Sequence, residues 1–287
     1  VARLLITGAS GTLGGPLSLL ARQAGWDLYA GYFSRPDRVR AGRPCPIDLR
    51  DAQAVREAVD EIRPDVIVHA AVTERSGPGY DEAIRQAAQN VAQAAKTSGA
   101  RLIALSTDLV FDGTSAASYT EESPVRPLET HLYGLAKADA EADVLARCPS
   151  ALIVRTSLIY DFHVQNAQMA WMLRAIERGE PLRLFTDQFR SPVWVWTLAA
   201  ALLELAELDL SGGVLHVAGP APVSRYMLGM ALLTALGVDP APHVQAAACP
   251  DTQAKRIVLS VDRARDLLRT PLMSLAQARV AAGEIAN

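Results

Sequence analysis

Apolar positions run through the first half of the chain in two alternating rhythms. Short, nearly continuous apolar runs predict strands, and longer stretches with apolar residues every three or four positions predict helices. Arg3-Leu-Leu-Ile-Thr7 reads as a first strand, 14–24 as a helix, 27–33 as a second strand, and Pro46-Ile47-Asp48-Leu49 as the end of a third. A helix over 51–62, capped by Asp51 or Asp48, precedes a fourth strand at 65–69. An alanine-rich helix over 81–98, a fifth strand at 101–106, a helix over 131–147 and a sixth strand at 150–155 follow. This alternation predicts parallel βαβ units and a doubly wound α/β sheet of the Rossmann type. Right-handed crossovers would place ligands at the carboxyl ends of its strands.

The rhythm changes after Tyr160. Helices are predicted over 167–178, 197–208 and 224–236, a strand over 213–217, and a polar C-terminal helix from Asp262. We read 1–160 as a dinucleotide-binding domain, with later segments returning to it, and 161–287 as mainly a smaller C-terminal substrate-binding lobe. Regions 148–181 and 241–250 are expected to carry loops.

Composition narrows the class only a little. Of 287 residues, 50% are hydrophobic and 21% charged, which excludes disordered and fibrous classes. A net charge of −3 gives no footprint for nucleic acid, and no apolar run approaches the roughly 18–20 residues of a membrane span. Cys45, Cys148 and Cys249, and the five scattered histidines (His69, His131, His163, His216, His243), lack metal-ligand spacing, so no metal is expected. With no signal-peptide pattern ahead of the first strand, the expected setting is cytoplasmic, with reduced thiols. A homodimer is left open.

Between the first strand and its helix stands Gly8-Ala-Ser10-Gly11-Thr12-Leu13-Gly14, with GxxGxxG spacing. Small residues let the backbone turn tightly and approach a pyrophosphate, which the free N–H groups of the helix N-terminus attract. The second strand ends in Tyr32-Phe33-Ser34-Arg35, with Arg38 close behind, where an NAD site usually carries a carboxylate. Ser34 and Arg35 can bond a 2′-phosphate that a carboxylate would repel, which favours NADP(H) over NAD(H). Asp48, followed by Leu49, could accept from an adenine amino group or only cap a helix. His69 is followed by Ala70-Ala71-Val72, small residues along which a cofactor could lie, or which could simply pack tightly.

Tyr133-Gly-Leu-Ala-Lys137 opens a predicted helix, so phenol and ammonium share one face. An adjacent cation stabilises a phenolate, making Tyr133 a candidate acid toward a carbonyl and Lys137 its partner. Both would also touch the cofactor. Ser106-Thr107-Asp108 ends the fifth strand; Thr107 is the first choice for a hydroxyl on the reacting oxygen, and Ser106, also a cofactor contact, the next. Asp108 could orient substrate, but bonds to loop amides are the readier expectation.

The loop GASGTLG, the segment Ser106-Thr-Asp-Leu-Val-Phe-Asp-Gly113 and Tyr133-Gly-Leu-Ala-Lys137 together resemble the extended short-chain dehydrogenase/reductases, and within them the dTDP-4-dehydrorhamnose reductase branch. Leu152-Ile-Val-Arg155-Thr156-Ser, Thr186-Asp-Gln188-Phe-Arg190-Ser191-Pro192 and His216-Val-Ala-Gly219 extend the resemblance from residue 3 to about 230. It implies NAD(P)H-dependent reduction at C4 of a nucleotide-linked 4-keto-6-deoxy sugar, with Tyr133 protonating the new alkoxide, Lys137 holding the nicotinamide ribose and Thr107 assisting at the carbonyl. Asp108, Gln188 and Arg190 are the candidate substrate contacts, with Trp194 or Trp196 as further wall residues.

Departures from that pattern bear on the substrate. Leu109 stands where the branch has tyrosine, Arg190 where it often has glycine, and Ile84-Arg85-Gln86 where it often has asparagine. The segment 73–80, with Glu74 and Arg75, is short and reads as solvated. Two other readings stay open: an epimerase or dehydratase on such sugars, against which the missing glutamate after Asp108 counts, and a non-catalytic NADP-binding subunit similar to the methionine adenosyltransferase β subunit.

Overall fold

The computed structural model describes residues 1–72, 78–163, 167–210 and 212–285. Its centre is a seven-stranded sheet of β1 (Arg3–Thr7), β2 (Asp27–Tyr32), β3 (Arg43–Pro46), β4 (Val66–His69), β5 (Arg101–Thr107), β6 (Leu152–Thr156) and a late strand, Val214–His216. The helices of the first half are α1 (Gly14–Gln23), α2 (Ala52–Ile62), α3 (Tyr80–Ser98) and α4 (Leu132–Arg147). All neighbouring strands run parallel, in the order late strand, β6, β5, β4, β1, β2, β3.

Parallel strands need helical crossovers, so both sheet faces are covered and the strands carry unbroken apolar runs. In β1, Leu4 and Ile6 join a core with Leu17 and Ala21 of α1 and with Leu198 and Leu202 of a later helix, Val195–Glu207. Leu5 points the other way, into a second core with Val55 and Val59 of α2, Val91 of α3 and Ala136 of α4. Strand order reverses direction between β1 and β4, the switch point at whose carboxyl edge such sheets bind ligands.

After β6 come β7 (Ile159–Tyr160), α5 (Ala167–Glu177), β8 (Leu182–Phe185), β9 (Phe189–Arg190), β10 (Val193–Trp194), α6 (Val195–Glu207) and β11, the late strand Val214–His216. Then follow β12 (Val223–Ser224), α7 (Arg225–Ala235), β13 (Val244–Ala247), α8 (Asp262–Leu267) and α9 (Leu275–Ile285). The chain returns to the main sheet through β11, while β8 pairs in parallel with β13 and β9 antiparallel with β12.

Several expectations needed correction. The third strand lies at Arg43–Pro46 and ends before Ile47. Its two prolines are tolerated because it is the sheet edge, where no outer ladder needs their N–H. Asp51 caps α2, accepting from the Gln53 and Ala54 N–H groups, so Asp48 is not the cap. Region 241–250 carries loops as expected, on either side of a short strand, β13, that the sequence did not show. The C-terminal helix is broken into α8 and α9 around Pro271, which lacks an N–H and pushes its predecessor out of helical conformation. Segment 73–77, with Glu74 and Arg75, lies outside the described residues.

Glu204 of α6 anchors that break. Its carboxylate accepts from the Arg269 N–H at 2.8 Å, the Thr270 N–H at 2.9 Å and the Thr270 hydroxyl at 2.7 Å. Burial pushes this carboxyl up, but those hydrogen bonds outweigh it and hold the pKa at about 2. A folded-state pKa below the unfolded 4.5 stabilises the protein above pH 4.5, and that contribution fades as pH falls toward 2. Glu204→Gln is therefore expected to cost on the order of 2–3 kcal/mol at pH 7. Its stability should also fall less steeply than the wild type's between these pH values, as read by urea denaturation at a series of pH values. Parallel curves would assign the acid dependence elsewhere.

Candidate active site

The loop after β1 turns on Gly8, whose φ of +75° is the left-handed region that side chains disfavour. A Cβ on Gly8 would lie 2.7 Å from the Ala71 Cα, so the ends of β1 and β4 touch backbone to backbone. A Cβ on Gly14 would lie 2.2 Å from the Gly8 carbonyl oxygen, which presses the start of α1 into the turn. Leu13 stands at the N-cap of α1 with no side-chain acceptor, so the N–H groups of this helix end face the crevice without a cap. Such an end attracts phosphate. Ser10 is half-buried, Gly11 and Thr12 are exposed, and half-buried Ala70 and Ala71 run past Gly8 to exposed Val72. These features fit a dinucleotide's pyrophosphate.

At the end of β2, Ser34, Arg35 and Arg38 are exposed together. Two cations missed in the sequence join them. Arg40 lies along Gly15 in the first turn of α1, its Cδ 3.1 Å from where a Cβ would stand. Arg50 sits over the exposed Phe33 ring at 5.0 Å and forks onto Asp48, with bonds of 2.9 and 2.7 Å. The Arg50 hydrogen bonds hold the Asp48 carboxyl below its ordinary value. Leu49 offers its carbonyl to the Asn90 amide at 2.9 Å, so Asn90 braces this loop.

Across the sheet edge, α4 presents a polar stripe inward. Tyr133, Lys137 and Glu141, each four residues apart, are all buried. A buried ammonium or carboxylate is tolerated only with a partner. The Lys137 Nζ donates to the Leu105 carbonyl of β5 at 2.6 Å. Glu141 takes a two-pronged bond from Arg155 of β6, at 3.0 and 2.7 Å. Both bonds fasten the Tyr133 helix to the carboxyl half of the sheet. His69 at the end of β4 bonds the Thr7 hydroxyl through Nδ1 at 2.8 Å; burial, and then the Lys137 charge, lower its pKa to about 3, so it is neutral.

Thr107 and Ser106, the two candidate hydroxyls, differ. Thr107 Oγ1 donates to Asp108 at 3.2 Å and accepts from the Leu109 N–H at 3.3 Å. Ser106 Oγ is buried with no partner among the described residues. Asp108 takes a hydrogen bond from its own backbone N–H, and side chains supply further contacts. It accepts from the Ser157 hydroxyl at 2.6 Å and faces Arg190 Nε at 3.8 Å. Burial raises its pKa against these contacts.

Arg190 lines a cavity and is held there by the backbone. Its remaining guanidinium nitrogens donate to the carbonyls of Phe189 and Ala254, at 2.8 and 3.0 Å, and Gln188 also bonds the 249–254 segment. Gln188 and Arg190 line a cavity of about 540 Å³ together with His131, Leu109, Leu158 and Arg225. Arg225, missed in the sequence, follows the N-cap Ser224 of α7. Its pKa is lowered by burial and by the like charge of Arg190. The charged side chains lining the cavity are thus two arginines, with Asp108 behind one of them. Trp194, expected as a wall candidate, is buried in the core, and Trp196 packs against it. Among the described residues no cluster of potential metal ligands occurs and no helix is long and apolar enough to cross a membrane.

A Gly-rich loop under an uncapped helix, with a buried Tyr-x-x-x-Lys stripe at the end of β5, defines a short-chain dehydrogenase/reductase of the extended type. The RmlD substrate binding domain family matches residues 2–285, and the chain belongs to it. It is therefore an oxidoreductase. It is 34% identical over 248 residues to dTDP-4-dehydrorhamnose reductase of Mycobacterium tuberculosis, spanning 83% of this chain and 77% of that protein. Methionine adenosyltransferase 2 subunit beta of Danio rerio is 29% identical over 257 residues, 84% of this chain and 76% of the relative. In fold, the chain superposes with a TM-score of 0.82 on a Bacillus anthracis dTDP-4-dehydrorhamnose reductase in complex with NADP, at 24% identity and full coverage of both chains.

Gly8→Ala is expected to cost about 2–3 kcal/mol in denaturant titration, since both its φ and its contact with Ala71 forbid a side chain. A cost under about 0.5 kcal/mol would mean the β1 and β4 ends are not locked together.

Proposed function

We propose that this protein is an NADPH-preferring reductase of a nucleotide-linked 4-keto-6-deoxy sugar. The observation that carries the reading is the buried Tyr133/Lys137 face of α4, bonded through Lys137 to the Leu105 carbonyl, two residues before Thr107. The named activity of the Mycobacterium tuberculosis relative supports the substrate class. Residues 1–160 would hold the dinucleotide, with β11 returning to that unit, and 161–287 would form most of the sugar side. The setting would be cytoplasmic.

When bound, NADPH supplies the hydride. Tyr133 gives its phenolic proton to the oxygen as charge develops there, and the Lys137 ammonium stabilises the phenolate left behind. Thr107, or Ser106 with its unpartnered hydroxyl, supplies a second hydrogen bond to that oxygen. Arg190 and Arg225 give the cavity a cationic wall suited to a diphosphate, while Leu109 and Leu158 provide an apolar one suited to a 6-deoxy methyl group. The cations Arg35, Arg38, Arg40 and Arg50 around the end of β2 favour a 2′-phosphate. The likeness to a methionine adenosyltransferase β subunit supports one rival, a cofactor-binding protein without turnover.

Incubation with NADPH and a panel of 4-keto-6-deoxy nucleotide sugars separates the two. Wild type is expected to oxidise NADPH with at least one of them, and Tyr133→Phe to lose about 10²-fold or more in kcat with NADPH affinity nearly unchanged. Tight NADPH binding without oxidation across the panel would sink the reductase reading. In fluorescence titrations, Arg35→Ala is expected to weaken NADPH about tenfold and NADH less than about twofold. Equal losses would remove Arg35 from the 2′-phosphate.

A further inference from the structure

We propose that His131 is a positioning residue for Tyr133, and that its ring must be neutral for the first turn of α4 to hold. This rests on the reductase reading only where activity is measured.

His131 is the N-cap of α4, and its Nδ1 accepts from the Gly134 N–H at 3.1 Å. Its carbonyl accepts from the Leu135 N–H at 3.1 Å, so one residue closes the turn through both side chain and backbone. Tyr133 lies inside that turn. The imidazole stands edge-on to the Tyr133 ring, centroids 6.4 Å apart at 62°, and lines the cavity. The turn is also wedged, because a Cβ on Gly134 would lie 2.4 Å from the Leu109 carbonyl oxygen. The turn is thus fixed at Gly134 by a close backbone contact and by an imidazole acceptor.

Most N-caps are hydroxyl, amide or carboxylate oxygens, which still accept at neutral pH. Imidazole differs, because its accepting nitrogen can itself take up a proton. With Nδ1 accepting, the proton of the neutral ring sits on Nε2. A second proton can only go on Nδ1, where it turns the acceptor into a donor facing the Gly134 N–H. The same proton sets a positive charge at the positive end of the helix dipole. Protonation therefore removes the cap and opposes the helix at the turn that carries Tyr133. Lys137, one turn on, keeps its own bond to Leu105, so the effect is confined to the tyrosine.

Across the cavity the charged neighbours of this ring are Arg190 of β9 and Arg225 of α7, with Asp108 behind Arg190. On its own element the titratable neighbours are Tyr133 and Lys137, and exposed Glu129 precedes it in the loop.

The first test needs no turnover. In a ¹H–¹⁵N pH titration, the Gly134 amide resonance of wild type is expected to move with the midpoint of the His131 imidazole. In His131→Asn, whose amide oxygen can cap without titrating, it should stay still over that range. The second test is kinetic. Wild-type kcat should fall on the acid side with that same midpoint, and His131→Asn should lack this limb. His131→Ala at pH 8 should lose about tenfold in kcat with KM for NADPH within about threefold. A Gly134 amide that ignores the imidazole titration, a His131→Asn profile that keeps the acid limb, or a His131→Ala kcat within about twofold of wild type would each overturn the proposal. Absence of all turnover would overturn the reductase reading instead, and the Gly134 titration would then decide the role of His131 alone.

Discussion

A buried ammonium has to find an acceptor, and much of this site follows from where Lys137 finds one. Its Nζ bonds the Leu105 carbonyl. That bond brings the inward stripe of α4 to the end of β5, and with it Tyr133 to the neighbourhood of Ser106 and Thr107. Glu141 and Arg155 repeat the device one turn further on, between α4 and β6. Leaving either charge without its partner would cost several kcal/mol, so helix and sheet dock in one register. The same ammonium, together with burial, keeps His69 neutral, so it can hold Thr7 without adding a second positive charge near the site.

The cofactor side is built by close backbone approach. Gly8 meets Ala71, and Gly14 meets Gly8, because no side chain intervenes. The loop is consequently pressed against the backbone around it, and the N-cap of α1 makes no side-chain hydrogen bond to the N–H groups there. The far side of the site uses the opposite strategy. There a long side chain, Arg190, spans from Asp108 to the carbonyl of Ala254 and forms the wall itself. A position read as a departure from a family pattern thus serves as a strut. Whatever occupies the cavity meets a guanidinium already held by the protein, together with Arg225.

Most of the sheet could be read from the chain because strands buried on both faces must be apolar throughout. The Leu4/Leu5/Ile6 run was legible for that reason, and the glycine spacing after it because phosphate loops tolerate little else. Tyr133 and Lys137 were legible as a pair, since a helical period puts them on one face. Short elements were not. Among the described residues the β13 segment Val244–Ala247 pairs with β8 alone, about sixty residues earlier, and its half-exposed sequence carries little of a strand's alternation. The break at Pro271 was present in the sequence, but the carboxylate that receives the freed N–H groups, Glu204, comes from a distant helix.

What the sequence by itself determined is therefore local: the order of strands and helices, the turn that needs glycine, and the spacing that aligns phenol with ammonium. These depend on backbone sterics and helical or strand period, which operate over a few residues. The tertiary structure decided which polar groups meet. It matched Arg190 with Asp108, set Arg225 on the same wall, engaged the Thr107 hydroxyl while leaving that of Ser106 without a partner among the described residues, and laid Arg40 and Arg50 beside the expected cofactor end. The arginine contacts with Asp108, Gly15 and Phe33 join segments that lie well apart in the chain, whereas the Thr107 bonds stay within its own turn. They arise because burial strips water from polar atoms and obliges each to find a partner in whatever the fold brings near.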